Sequence, residues 1–417
     1  MRSEPTTAPS PREPDEAGRS DWRRVVTVFW LTSMVEGLGV SQVFAYLAPY
    51  LRVVGVADAD RATFVGLFSA LIFVVGMPLV PLWGVWADVY SRKAVIARSA
   101  IVEAVVFACV ALSREPWQLA LSLLLIGFQL GNTGVMLAAI RDVVPRHRIG
   151  TIIAVFGVSG AIGAAVGPAL GALLVDGLGL GLRSMFWVSA GLSVATAALV
   201  WFGAAEVRPE VVPGGRVLSL AYGAVRNVLG DPAVRRIFAI YGVVFLANQM
   251  SRPYQALIVE RIVGAGPGLT SAIGFVAGPA ALAGAVIAPL GGVVGDRVGF
   301  RPVLLAALAV GGVALLAVPL LPTVPALALA VVAFTAANGL VGAMVFSLLA
   351  TEVPVERRSQ TLNLVYLPLY AAGIIGPAIG GALAGPFGAG APFWAGAAVF
   401  LVGAAVVALR VRRSRSP

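Results

Sequence analysis

Residues 84–93 read GVWADVYSRK, and residues 292–301 read GVVGDRVGFR. The two stretches share a glycine, an aspartate and a final cation at a constant offset of 208 positions: Gly84 and Gly292, Asp88 and Asp296, Lys93 and Arg301. A segment that recurs at a fixed distance indicates an internal repeat. The sequence therefore predicts two similar halves.

A second pair of stretches supports the same repeat. Residues 163–171 read GAAVGPALG and residues 373–381 read GIIGPAIGG, so that the two Gly-Pro pairs are 209 positions apart. Pro145 and Pro354, which precede these stretches, are separated by the same distance. Three markers in nearly one register make a chance match a poor explanation.

The composition between these markers is that of a membrane protein. The 417 residues are 59% hydrophobic and only 12% charged, and the mean hydropathy is +0.92, whereas soluble domains carry about 25% charged residues. The apolar runs are continuous over about 20 residues, the length with which a helix crosses the hydrocarbon layer. A closed barrel would need short alternating segments instead. We therefore predict an all-α membrane protein.

The apolar runs predict twelve transmembrane helices, called spans 1 to 12, in two six-helix bundles related by pseudo-symmetry. Their predicted ranges are 25–51, 62–86, 95–113, 117–140, 151–175, 184–204, 237–260, 271–294, 303–321, 325–350, 361–384 and 392–410. Five regions follow: a disordered cytoplasmic tail at 1–24, a first bundle at 25–204, a central cytoplasmic loop at 205–236, a second bundle at 237–410, and a basic cytoplasmic tail at 411–417.

The net charge of +10 could suggest a nucleic-acid partner, but the basic residues follow the topology. With the N-terminal tail placed inside, 24 of the 30 Lys and Arg residues fall on or near inside segments. Such a bias is the positive-inside pattern of membrane proteins. It predicts a multi-pass protein of the plasma (inner) membrane with both termini in the cytoplasm, and it removes the argument for nucleic acid. The lipid bilayer is the expected surrounding, and the chain is expected to be a monomer.

Rare residue types exclude several kinds of chemistry. The chain has one cysteine, one histidine and one lysine. These numbers allow no internal disulfide, no usual Cys/His metal site and no G-K-[ST] phosphate loop. We therefore expect no metal, no cofactor and no ATPase domain. A membrane enzyme would also need a group of His, Cys, Asp or Glu residues, and none is apparent.

Over roughly residues 22–410 the chain resembles the major facilitator superfamily. The resemblance rests on the loop motif G-x-x-x-D-x-x-(G/S)-R-K at Gly84, Asp88, Arg92 and Lys93, and on its weaker copy at Gly292, Asp296 and Arg301. Span 5 resembles the motif G-x-x-x-G-P-x-x-G of twelve-helix drug:proton antiporters at Gly163, Gly167, Pro168 and Gly171. Span 4 departs from the family pattern, because Gly127 stands where an arginine is common.

The resemblance implies roles for both motifs. The loop motif would form a latch that ties the halves together on the cytoplasmic side and favours the outward-open state. The glycines of span 5 recur every four residues and so share one helical face. Small residues let helices approach closely in a membrane, and this face would belong to the sliding surface between the halves; ordinary close packing is the alternative.

Glu36 is the main candidate for a coupling residue, because it lies inside an apolar run where a charge is costly. Burial in general disfavours the charged form of a carboxyl group, so that such a residue could bind and release a proton. Glu103 is a second acidic candidate, although a charge pair with Arg98 would explain it equally well. The substrate-binding candidates are polar residues within spans, for which hydrogen bonds between helices are the alternative role: Thr32, Gln129, Asn132, Asn248, Arg252, Gln255, Asn363 and Tyr366.

The resemblance implies a secondary active transporter, and no enzyme. The expected activity is proton-coupled export of small amphiphilic or drug-like compounds by alternating access, with protons and a small molecule as partners. The alternative is import or export of one metabolite, such as a sugar, an amino acid or a siderophore. Arg252 could also lie near the outer interface with its head group in water.

Overall fold

The computed structural model describes residues 16–209, 212, 214–352, 364 and 366–413. Within these ranges every regular element is helical. The predicted all-α membrane protein is thus confirmed. Asn363 lies outside the described residues, as do the side chains of Asp296 and Tyr366 and the surroundings of Gly292.

Six spans form the first half of the chain. The first helix begins at Glu16, within the segment predicted as a tail, and continues to Val53. The spans have the following bounds: Trp22–Val53, Asp58–Val89, Arg92–Leu112, Pro116–Val143, Arg146–Gly177 and Arg183–Gly203. Each lies within a few residues of its predicted range, because polar loops limit the apolar runs on both sides.

The second half repeats this order. Span 7 consists of Pro232–Ser251, a 3₁₀ turn at Arg252–Tyr254 and Gln255–Val263. The other helices have the following bounds: Leu269–Val298, Phe300–Ala317, Val324–Glu352, Tyr366–Phe387 and Ala391–Arg413. A 3₁₀ turn at Val318–Leu320 extends span 9.

Eleven helical segments of the described chain are long and apolar enough to cross a membrane. Span 7 is the predicted span that is not among them. Its helix is interrupted, and Asn248, Gln249, Ser251 and Arg252 follow each other closely near its middle. These polar residues lower its mean hydropathy, so the least apolar span is also the one with the most polar face.

A short helix at Val217–Gly230 lies within the segment that we predicted as a loop. Ala221 and Val228 are buried on one side of it. The hydroxyl of Tyr222 donates a hydrogen bond to the carbonyl of Pro78 in span 2, with 3.1 Å between the oxygens. The apolar residues of this segment are too few to span a membrane, which is why the spacing of long apolar runs did not reveal it.

The repeat is visible in equivalent contacts of the two halves. The Tyr46 hydroxyl of span 1 donates to the carbonyl of Pro168 in span 5. In the second half, the Tyr254 hydroxyl of span 7 donates to the carbonyl of Pro377 in span 11. The two tyrosines are 208 positions apart and the two prolines 209, as the sequence repeat requires.

Candidate functional site

The carboxylate of Glu36 lies inside the first half, against an interruption in span 4. The Asn132 side chain donates a hydrogen bond to Glu36, with 3.0 Å between Nδ2 and Oε2. Span 4 ends its first helix at Leu125, passes through a 3₁₀ turn, and starts again at Asn132. Gly131 between them has φ of +101°, a conformation that favours glycine. The break places an amide donor beside the acid.

Glu103 of span 3 belongs to the same polar cluster. Its side chain is buried, and a Cβ added at Gly39 of span 1 would lie 2.9 Å from its Oε1 atom. Four buried polar atoms here form no hydrogen bond of good geometry with another described residue, although Gln129 and Ser193 lie close to the Glu103 carboxyl: Glu103 Oε1, Gln129 Nε2, Asn132 Oδ1 and Ser193 Oγ. Since buried polar groups are normally bonded, this cluster has capacity to bind a proton or water.

Arg98 does not form the predicted charge pair with Glu103. Its guanidinium stacks on the ring of Trp83, 3.6 Å from the ring centre, and it donates a hydrogen bond to Ser99. It is nevertheless close enough to interact electrostatically with Glu36. The cation near the acid of span 1 thus comes from span 3, whereas span 4, where the family pattern has an arginine, carries Gly127.

A central cavity of about 260 Å³ lies between the two halves. Spans 1 and 5 of the first half and spans 7, 8 and 10 of the second half form its walls. Its polar side chains are those of Ser41, Asn248, Arg252, Gln255, Thr335 and Asn338. Three sequence candidates of span 7 therefore line one cavity, namely Asn248, Arg252 and Gln255, and Arg252 does not lie at the outer interface.

The other substrate-binding candidates whose side chains are described do not line this cavity. Gln129 and Asn132 are buried in the polar cluster of the first half. The Thr32 hydroxyl donates to the carbonyl of Val28 in its own helix, at 2.8 Å. Glu36 does not line the central cavity. Glu36 and Glu103 thus lie apart from the cavity lined by the span 7 candidates, whereas the candidates Gln129 and Asn132 lie with the two acids.

The three motif glycines of span 5 pack against span 1 of their own half. A Cβ at Gly163 would collide with the Met34 carbonyl, one at Gly167 with the Leu38 carbonyl, and one at Gly171 with the Tyr46 ring. Toward the other half, a Cβ at Gly274 of span 8 would lie 3.1 Å from the Pro168 carbonyl. Span 5 thus contacts both halves, with its glycines turned to span 1.

The loop motif forms an ion cluster within the first half. Arg92 binds Asp88 at 2.9 Å and Asp142 of span 4 at 2.6 Å, and its backbone N–H donates to Glu206 at 3.0 Å. Lys93 lies over the ring of Trp201, and no atom of another described residue lies within 4 Å of the Cβ position of Gly84. In the second copy Arg301 is exposed. The contacts described for Asp88 and Arg92 do not reach the second half.

A second ion cluster joins the halves at the opposite, predicted external side, and the sequence analysis missed it. Glu260 of span 7 binds Arg52 of span 1 at 2.6 Å and Arg61 of span 2 at 3.0 Å. Asp58 binds both arginines, at 3.0 and 3.4 Å. The repeat offset contained a signal, because 260 minus 52 is 208.

Comparison with known proteins agrees with these observations. The sequence model of the Major Facilitator Superfamily matches residues 29–261 and 237–417. Multidrug resistance protein MdtG of Salmonella typhi is 27% identical over 399 residues, which are 95% of this chain and 97% of that protein.

Two solved structures share the fold. A bacterial homologue of the human lysosomal transporter Spinster, in an inward-facing and occupied conformation, is 17% identical with a TM-score of 0.76 over 96% of this chain and 98% of its own. The human organic anion transporter MFSD10 is 19% identical with a TM-score of 0.67, over 93% and 99%. The chain belongs to the major facilitator superfamily of membrane transporters.

Proposed function

We propose that this transporter exports small amphiphilic compounds in exchange for protons, with Glu36 as the coupling residue. The observation that carries the proposal is the polar cluster around Glu36. A carboxylate, an amide donor from a broken helix and the second acid Glu103 lie together among helices that are otherwise apolar. Acidic residues inside membrane spans are costly and commonly serve proton relays, and discontinuous helices form binding sites in transporters.

The choice of cargo is supported by the relatives and by the central cavity. The MdtG proteins that match nearly the whole chain are named multidrug resistance proteins. The central cavity combines a few amide, hydroxyl and guanidinium groups with the apolar walls of Phe44, Ile273 and Val276. Such a surface suits a molecule with one polar and one apolar end.

The arrangement of the two halves supports alternating access. The ion cluster around Glu260 closes the predicted external side, and the central cavity lies between the halves. Opening this side requires the halves to separate at Glu260. We propose a monomer in the plasma membrane, with both termini in the cytoplasm, since the basic residues follow that topology.

The test is export of the neutral amphiphilic dye Nile red into inside-out vesicles under an imposed pH gradient. We expect Glu36→Gln to lower proton-driven export by about tenfold or more, in the range of coupling between two binding sites. Dye exchange without a gradient should persist, since glutamine keeps an acceptor for Asn132. Asp60→Asn removes an exposed carboxylate and is the control.

Two results would count against the proposal. Unchanged proton-driven export by Glu36→Gln means that another group couples transport to protons, and Glu103→Gln is then the variant to compare. Equal loss of driven export and of gradient-free exchange means that Glu36 supports the structure and not the coupling. A dye that the wild-type protein never transports would instead favour a specific metabolite as cargo.

A further inference from the structure

Arg252 is a cation in the central cavity without an acidic partner. Of the described residues that line this cavity, none is an aspartate or glutamate. The guanidinium lies over the ring of Phe44, 4.2 Å from its centre. Neither an ion pair nor a hydrogen bond joins the Arg252 side chain to any other described residue.

Three other arginines within the spans have acceptor partners, although Arg61 Nε and both Nε and Nη1 of Arg98 have none among the described residues. Arg61 is paired with Glu260, and Arg92 with two aspartates. Arg98 has both an aromatic face and a hydroxyl acceptor. A guanidinium has five N–H donors, and a ring face satisfies none of them in the plane of the group. Arg252 therefore keeps its donors available to the cavity.

The local geometry of span 7 explains why the Arg252 side chain faces the central cavity. Pro253 lacks an N–H group, and the helix changes there to a 3₁₀ turn at Arg252–Tyr254. A short 3₁₀ segment within a long helix often marks a functional position. Asn248 and Gln255, one turn before and after, face the same cavity, so two amide groups flank the cation.

We propose that the central cavity binds small organic anions, with Arg252 holding the anionic group and the apolar walls holding the rest of the molecule. The planar guanidinium matches a carboxylate, sulfonate or phosphonate with two parallel hydrogen bonds. Phe44 lies on one face of the guanidinium and leaves its edge free. The inference rests on the proposed function in taking this cavity as the cargo site.

Glu36 does not line this cavity. The acid of the first half therefore does not compete directly with the cargo for a shared charge. An anionic cargo is compatible with this separation, because its charge is met by Arg252 and kept from Glu36.

The test measures binding to the purified full-length protein in non-ionic detergent and chloride-free buffer. The probes share one ring system and differ in charge: naphthoate, its neutral amide naphthamide, and the cation naphthylmethylammonium. We expect the wild-type protein to bind naphthoate about tenfold or more tightly than naphthamide, the size expected for hydrogen bonds to a charged group. Naphthylmethylammonium should bind most weakly.

Arg252→Gln should remove the preference for naphthoate and leave the affinity for naphthamide nearly unchanged. Arg252→Lys keeps the charge without the planar fork and should keep part of the preference. Arg114→Gln removes a cation from an exposed position and should behave as the wild type does. If Arg252→Gln fails to fold, the partial preference of Arg252→Lys decides the question.

Any of three results would overturn the proposal. The first is a wild-type preference for naphthamide or for the cation. The second is an equal loss of affinity for naphthoate and naphthamide in Arg252→Gln, and the third is an unchanged preference for naphthoate in both Arg252→Lys and Arg252→Gln. Because binding is measured without a gradient, its outcome is independent of proton coupling. A wild-type protein that does not prefer naphthoate, while its driven export still depends on Glu36, would refute only the anion site. A wild-type preference for naphthoate, with driven export that does not depend on Glu36, would refute only the coupling by Glu36.

Discussion

Some positions related by the repeat hold the same residue in both halves, and others hold different residues. Tyr46 and Tyr254 are the same residue, and each binds the carbonyl of the equivalent proline in its own half. Positions 52 and 260 are equally related by the offset of 208, yet they hold an arginine and a glutamate that bind each other. Each tyrosine binds within its own half, and Tyr46 also binds Thr270 of the other half, whereas the different residues at positions 52 and 260 bind each other across the halves.

Positions 44 and 252 follow the second pattern. Their difference is again 208, and Arg252 stacks on Phe44. Spans 1 and 7 meet along the axis that relates the halves, so a residue near this axis approaches its own equivalent. Two identical charges would repel there. When the two copies differ at such a position, the residues can bind each other, as the ion pair at the external side does. They can also place a cation on a cavity, as Arg252 does.

The largest expected effect comes from breaking the divergent pair at the external side. Glu260 and Arg61 are both buried, and Glu260→Gln leaves Arg61 without its main partner. Removing one partner of a buried ion pair costs about 3–5 kcal/mol. Here this cost destabilises the conformation in which the external side is closed. We expect the distance between spin labels at Ala59 and Ala265, in a Cys109→Ala background, to increase and broaden.

Asp58→Asn is the matched control for this change. Asp58 binds the same arginines, but 69% of its side chain is exposed, and exposed ion pairs contribute only about 0–1 kcal/mol. Its label distance should remain near that of the unsubstituted background. An unchanged distance in Glu260→Gln would mean that packing between the halves, and not this ion cluster, keeps the external side closed.

A smaller effect is expected at the loop motif, where the two copies also differ. Arg92 is buried between Asp88 and Asp142, whereas Arg301 of the second copy is exposed. Both aspartates keep about a third of their surface exposed and can be solvated after Arg92→Gln. We therefore expect a loss of about 1–2 kcal/mol in stability and almost none for Arg301→Gln, measured by thermal unfolding in detergent.

The same variant separates the two ion clusters. If the loop motif stabilises the outward-open state, as the resemblance implies, Arg92→Gln should leave the external labels close together or bring them closer. This is the opposite of the change expected for Glu260→Gln. An increased external distance in Arg92→Gln would contradict the latch assignment.

The sequence predicted the parts of this structure that depend on periodic and local patterns. Long apolar runs located the spans, and the offset of 208 located the repeat. The sequence offered Asn248, Arg252 and Gln255 of span 7 as candidates, and because a helix brings residues three and four apart to one face, all three line one cavity.

Other features depend on contacts between distant segments. Which helix meets Glu36 is decided by the break at Gly131, and a lone glycine among 49 carries no signal of a positive φ. The external ion cluster joins residues about 200 positions apart. The pattern of Arg52 and Glu260 at one repeat offset could have indicated it, but only once spans 1 and 7 were known to touch.

The smallest expected effect concerns the pair of identical residues. The Tyr46 hydroxyl is 2.5 Å from the Pro168 carbonyl and 3.2 Å from that of Thr270 in the other half. The Tyr254 hydroxyl is 3.5 Å from the Pro377 carbonyl, at the limit of a hydrogen bond. Tyr46→Phe should therefore cost about 1 kcal/mol, the size of hydrogen bonds between membrane helices, and Tyr254→Phe less than about 0.5 kcal/mol.

Thermal unfolding of the two variants in the same detergent measures this difference, and each is the control of the other because both remove one hydroxyl from a buried ring. Only Tyr46 also binds the other half, through Thr270, so its loss should widen the external label distance slightly while Tyr254→Phe leaves it unchanged. Equal costs would show that the two halves have kept equivalent strength at this position, and that divergence is confined to the residues nearest the axis.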